Sequence, residues 1–135
     1  MRIAQLCSVA HPVGADTSYG IYNQVGNLCD SFVRAGHEVT LFTAGDAKTK
    51  AKKQSIVKTN VEDRAPISET EVMWENLETA SLCFRNAENF DVIHTHFSLL
   101  GCHFSSLVET PTFHSIHSPI AESLKPHLLR YRKEN

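Results

Sequence analysis

The sequence predicts an α/β domain: an open, mostly parallel sheet with helices on both faces. Two observations predict it. Short runs rich in β-branched and aromatic residues alternate with segments whose apolar residues recur at helical spacing. The first two runs are joined by a helix, which makes a βαβ unit with parallel strands. At 135 residues the chain is one domain's worth, with material for a single core.

The elements follow in order. Arg2 to Val9 reads as a buried strand, bounded by His11-Pro12-Val13-Gly14. Tyr22, Val25, Leu28, Cys29, Phe32 and Val33 mark one face of a helix, and Gly36 stands where a left-handed C-cap is wanted. Glu38 to Thr43, "EVTLFT", is the second strand. A polar connection then leads to a weak strand at Ser55 to Lys58. Ser68 and Glu71 form a capping box that opens the next helix. Met73, Leu77, Ala80, Phe84 and Ala87 mark its buried face. Phe90 to Thr95 is a strand and Ser98 to Val108 a short helix, with Leu100, Phe104, Leu107 and Val108 inward. Thr110 to Ser115 is the last strand. Ile120 to Tyr131 reads as helical, with Pro119 in its first turn and Pro126 breaking or kinking it.

Composition narrows the function classes. A net charge of −2 gives no electrostatic reason to bind nucleic acid or an anionic membrane. The basic cluster Lys48, Lys50, Lys52 and Lys53 reads as a solvated loop. Cys7, Cys29, Cys83 and Cys102 form no CxxC pair and fall in apolar patterns, as free thiols of a reducing cytoplasm do. The opening "MRIAQLCSVA" mimics a signal peptide. Its apolar run is short and rich in strand formers, so it reads as a strand, with no export signal and no transmembrane span.

In open parallel sheets, ligands bind beyond the carboxyl ends of the strands. That rule gathers His11, Asp46, His94, His96, Phe97, His114 and His117, with the Gly14–Gly20 loop, at one rim. The loop runs into a helix N-terminus, which favours a phosphate; a plain flexible loop is the alternative. Its glycines do not fit G-x-G-x-x-G and no G-K-[ST] follows, which disfavours a nicotinamide enzyme or a P-loop ATPase. His94 and His96, two apart on a strand, point to the same face. The spacing of His114 and His117 matches no zinc ligand pattern. Hydrogen bonding to a polyhydroxylated or phosphorylated ligand suits the histidines better, because imidazole both donates and accepts; each could also be a structural residue. No G-x-S-x-G elbow is present, which disfavours a nucleophilic hydrolase.

Read in order, "MRIAQL", a Pro/Gly loop, "YG" at a helix start, "FVRAGHEVTLFTAGD", "FDVIHTHF" and "PTFHSIHS" resemble a known family. It is the N-terminal, acceptor-side domain of family 4 retaining glycosyltransferases, which have the GT-B fold. The resemblance covers nearly the whole chain and implies a Rossmann-like sheet over residues 1–135, half of a GT-B fold. In such enzymes the cleft between two domains holds the active site, and the second domain holds the nucleotide sugar. Carried over by position, His114 is the catalytic, sugar-side histidine. Gly14, Tyr19 and Gly20 form the donor-phosphate loop. Asp16, His96, Phe97 and His117 line the acceptor side. The resemblance implies no metal and no cofactor, with helix ends and basic residues stabilising the leaving diphosphate.

Two positions depart from the family pattern. Ile21 replaces the second loop glycine, and Asn23 replaces an acidic residue. A β-branched side chain blocks the close approach that glycine permits. The donor half is absent from the sequence, so the chain reads as a truncated domain that is inactive alone. A nucleotide sugar and an acceptor are its expected partners once a donor domain completes it. A non-catalytic sugar- or phosphate-binding or protein-interaction module is the alternative. A bare sheet edge beyond Thr110–Ser115 predicts a homodimer or a partner chain.

Overall fold

A computed structural model describes residues 1–131. Five strands, β1 (Arg2–Leu6), β2 (Glu38–Phe42), β3 (Lys52–Gln54), β4 (Val92–Thr95) and β5 (Thr112–His114), form one sheet in the order β3-β2-β1-β4-β5. Every pairing is parallel. The helices are α1 (Gly20–Arg34), α2 (Glu69–Arg85), α3 (Leu99–Ser105) and α4 (Lys125–Leu129), with a 3-10 turn at Ala87–Asn89.

Side chains of a strand alternate between faces, and each face finds its cover. Ala4, Leu6, Phe42 and Ile93 pack under Ala80, Cys83 and Phe84 of α2, with Leu100 and Phe104 of α3 alongside. On the other face, Cys7, Val39 and Leu41 pack under Val25 and Cys29 of α1. The expected α/β Rossmann-like sheet with helices on both faces is therefore the fold of the chain. All four cysteines are free and buried, and burial pushes the Cys7, Cys29 and Cys83 thiols up to about 12.

Local chemistry sets the helix ends. At the end of α1, Gly36 takes φ +86. Its N–H donates to Val33 O at 3.0 Å and His37 N–H donates to Phe32 O at 3.1 Å, a Schellman closure. At the start of α2, Ser68 Oγ accepts from Glu71 N–H at 3.2 Å and Glu71 Oε2 accepts from Ser68 N–H at 2.8 Å. This capping box contributes about 1 kcal/mol.

Several expectations are corrected. The third strand lies at Lys52–Gln54, not Ser55–Lys58; it is a fully exposed edge strand, and its two lysines blunt the edge. No residue of α2 before Thr79 is buried, so Met73 is exposed rather than inward. Leu107 lies beyond the end of α3 and is 78% exposed. The last helix is only Lys125–Leu129, with Pro126 in its first turn rather than breaking it and Pro119 outside it. Pro126 has no N–H to satisfy there, so the helix starts around it.

Candidate functional site

The chain runs from β1 outward to β3, then returns to place β4 on the other side of β1. The sheet's topological switch point thus lies between β1 and β4, where such folds open a crevice at the strands' carboxyl ends. His96 N–H donates to Leu6 O at 2.9 Å and holds the two strand ends together there. The loop after β1 carries Gly14 to Gly20, and the turn after β4 carries His96 and Phe97.

In the β1–β4 register Gln5 sits opposite His94, so both side chains share a face, and His96 follows two residues on. His94 and His96 rings lie with centroids 4.3 Å apart, as their spacing predicts. His117 stacks on His96 at 5.1 Å. A chain of hydrogen bonds links them. Ser115 Oγ and His94 Nε2 are 2.8 Å apart, and His94 Nδ1 and Gln5 Nε2 3.3 Å. Gln5 Oε1 and His96 Nε2 are 3.1 Å apart, and His96 Nδ1 and His117 Nε2 2.8 Å. Burial first, then His94 and His117 beside it, push His96 down to about 3. Burial, then His117 and His114, push His94 below the usual histidine range. His94 and His96 are therefore neutral at pH 7, and each can both donate and accept.

The five histidines do not form one group. His117 joins His94 and His96 in the cluster. His114 pairs in register with Thr95, one residue off His94, and so faces the opposite side of the sheet. Its Nδ1 lies 3.7 Å from Cys102 Sγ of α3, and burial lowers its pKa. The structure therefore separates His114 from His96 and His117 across β5. His11 belongs to a third group: it stacks on Tyr19 at 3.8 Å, and its Nδ1 lies 3.2 Å from Glu62 Oε2.

The Gly14–Gly20 loop is held from several sides. Tyr19 Oη donates to Glu62, and that hydrogen bond is the leading cause of the lowered Glu62 carboxyl pKa. Asn23, one of the two departures from the family pattern, donates from its amide to Ala15 O and ties the loop to α1. Gly26 lets α1 approach so closely that a Cβ there would lie 2.8 Å from Gly14 Cα. At Gly20, by contrast, nothing lies within 4 Å of a Cβ position. No side chain caps the N-terminus of α1 at Tyr19. Ile21, in the first turn of α1, is 37% exposed.

Beside this loop lies a cavity of about 290 Å³ lined by Gly14, Asp16, Thr17, Asp46, Lys48 and Asp63, among others. Asn60, fully buried, donates from its amide to Asp46 Oδ2 at 2.8 Å and to Asp63 Oδ2 at 2.7 Å, and fixes two of the carboxylates. Three carboxylates against one lysine suit hydroxyl donors better than a bare phosphate. Phe97 packs against the core under α2 and is only half-buried. Among the described residues, no group of three or more His, Cys, Asp or Glu side chains could hold a metal ion.

Sequence reasoning missed Gln5, Ser115, Glu62 and Asn60. Gln5 carried a signal: it is the one polar residue inside the apolar run "IAQL" of a buried strand. The other three lie in loops or strand ends whose contacts only the fold brings about.

The model of Glycosyltransferase Family 4 matches residues 19–134. The chain is also similar in structure to sucrose-phosphate synthase from Thermosynechococcus elongatus. The TM-score is 0.50 and the identity 21%, over 87% of this chain and 33% of that one. At that identity the likeness shows the fold, and the chain spans about a third of the length of that protein. No curated protein matches the chain. The family match over most of the sequence, on an α/β sheet of this topology, shows that the chain belongs to glycosyltransferase family 4.

Proposed function

We propose that this domain is the acceptor-side half of a GT-B glycosyltransferase of hexosyltransferase type. The whole enzyme moves a sugar from a nucleotide sugar to a hydroxyl-bearing acceptor. The observation that carries the reading is the hydrogen-bonded cluster of His94, His96 and His117 at the switch point, together with the carboxylate-lined cavity at the Gly14–Gly20 loop. Both features suit a polyol, which offers hydroxyl donors and acceptors together.

In the transfer, the bond between the sugar's anomeric carbon and the diphosphate oxygen breaks. A bond from that carbon to the acceptor oxygen forms, and the acceptor's proton leaves. His96, His117 and Asp16 hold the acceptor hydroxyls, and Phe97 lines the acceptor side from the α2 face. His114 contacts the transferred sugar from the other side of β5. Gly14, Tyr19 and Gly20 carry the donor phosphate at the uncapped start of α1, where helix N–H groups favour negative charge. The open space at Gly20 supports that assignment. The nucleotide is held by a second domain, so residues 1–135 alone do not complete the reaction. No helix among the described residues is long and apolar enough to cross a membrane. A reducing, cytoplasmic setting fits the four buried free thiols.

A binding module without catalysis is the second reading, favoured by the exposed Ile21 on the first turn of α1. A radiolabelled transfer assay on the purified 135-residue chain tests the first reading. No turnover of any nucleotide sugar is expected alone, with transfer restored by adding a donor domain and abolished by His114→Ala. Turnover by the chain alone refutes the half-enzyme reading. Failure of any donor domain to restore transfer, with sugar binding intact, favours the second.

A further inference from the structure

Gln5 lies inside β1 and is fully buried. A buried amide is costly unless both of its ends are bonded. Its two ends meet two different histidines: Oε1 lies 3.1 Å from His96 Nε2, and Nε2 lies 3.3 Å from His94 Nδ1. An amide oxygen only accepts and an amide nitrogen only donates. His96 therefore carries its proton on Nε2, and His94 keeps a lone pair on Nδ1.

Each assignment then propagates, because a neutral imidazole has one N–H. His94 must donate from Nε2 to Ser115 Oγ, 2.8 Å away. His96 must accept at Nδ1 from His117 Nε2, also 2.8 Å away. A neutral His117 then keeps a lone pair on Nδ1, which has no hydrogen-bond partner among the described residues. The rings are crowded, with centroids 4.3 Å and 5.1 Å apart, so a second positive charge among them would meet strong repulsion.

We propose that Gln5 is a positioning residue that sets the tautomers of His94, His96 and His117, so that His117 offers Nδ1 as an open acceptor for a ligand hydroxyl. The role of that hydroxyl rests on the acceptor-site reading above; the tautomers do not. A half-turn of the amide would reverse every bond in the chain and make His117 Nδ1 a donor.

Long-range 1H–15N spectra of the histidine rings in the 135-residue chain at pH 7.5 test this. The expected result is a proton on Nε2 and none on Nδ1 for all three rings. A scalar coupling across the hydrogen bond from His117 Nε2 to His96 Nδ1 is also expected. In Gln5→Glu the carboxylate accepts at both ends, so His94 gains a proton on Nδ1. In Gln5→Met the coupling is lost and the ring signals move to tautomer averages. If Gln5→Glu does not fold, the comparison of wild type with Gln5→Met decides. A proton on His94 Nδ1 in the wild type, or tautomer averaging there, overturns the proposal. So does a wild-type tautomer pattern kept unchanged in Gln5→Met. The expected tautomers without any polyol binding would leave the role of Gln5 standing and sink the acceptor reading; polyol binding with the reversed tautomers would do the opposite.

Discussion

Gly26→Ala is expected to destabilise the domain by about 1–2 kcal/mol, although alanine is the better helix former. Two effects compete. Inside α1, replacing glycine by alanine is worth about 1 kcal/mol of helix propensity. Against it stands a steric conflict: the new Cβ would lie 2.8 Å from Gly14 Cα, 2.9 Å from Gly14 C and 3.0 Å from Gly14 N. Comfortable carbon contacts are about 3.5–4.0 Å, and the opposing atoms are backbone that no rotamer change can move aside. Overpacking of this kind costs about 1–3 kcal/mol, and a rigid opponent puts it at the upper end, so it outweighs the propensity gain. For a chain of this size the net loss lowers Tm by about 3–8 °C. Gly20→Ala is the control, because its Cβ meets nothing within 4 Å. Its Tm is expected to stay within about 2 °C of wild type. Differential scanning calorimetry of the three proteins reads both effects. A Gly26→Ala protein as stable as wild type, or more so, refutes the close approach of α1 to the glycine loop.

Two further outcomes are expected. The His96 pKa is depressed in the fold, so the unfolded chain binds more protons between the two pKa values, and stability is full above pH about 6.5 and falls toward about 3. From pH 6.5 to 4.5, above most carboxylate titrations, the loss is about 2 kcal/mol for one such histidine, with His94 and His114 shifted in the same direction. Urea midpoints across that range measure it; His96→Gln should flatten the slope, and a flat wild-type profile counts against a neutral His96 in the fold. Separately, β5 is an edge strand with Phe113 67% exposed, so light scattering should show self-association that Phe113→Glu removes. A monodisperse wild-type monomer contradicts this.

The parts of the fold legible in the sequence are those where burial imposes a period. β1, β2, β4 and the buried stripe of α1 declare themselves because parallel strands and core helices leave few polar positions. The Ser68–Glu71 box and Gly36 are legible because each does a local job that few residues can do. β3 is displaced from its expected place because all three of its residues are exposed, so no apolar pattern marks it. Met73 and Leu107 carry the right period but lie where no neighbouring element covers them.

The candidate site was legible only as a rim. His94 and His96 sharing a face follows from strand alternation. That His114 faces away follows from the register Thr95↔His114, and strand register is invisible in a single sequence. Gln5 shows the same limit. A lone glutamine in an apolar run signals a buried polar contact, but its partners lie 89 and 91 residues away.

The acceptor reading is tested most directly by titrating the labelled 135-residue chain with free sugars and other polyols, then with nucleotide sugars, following the His96 and His117 ring signals. Shifts of both rings with polyols, and none with nucleotide sugars, are the expected result. Unmoved rings with every polyol, or shifts driven by the nucleotide sugar alone, would contradict it.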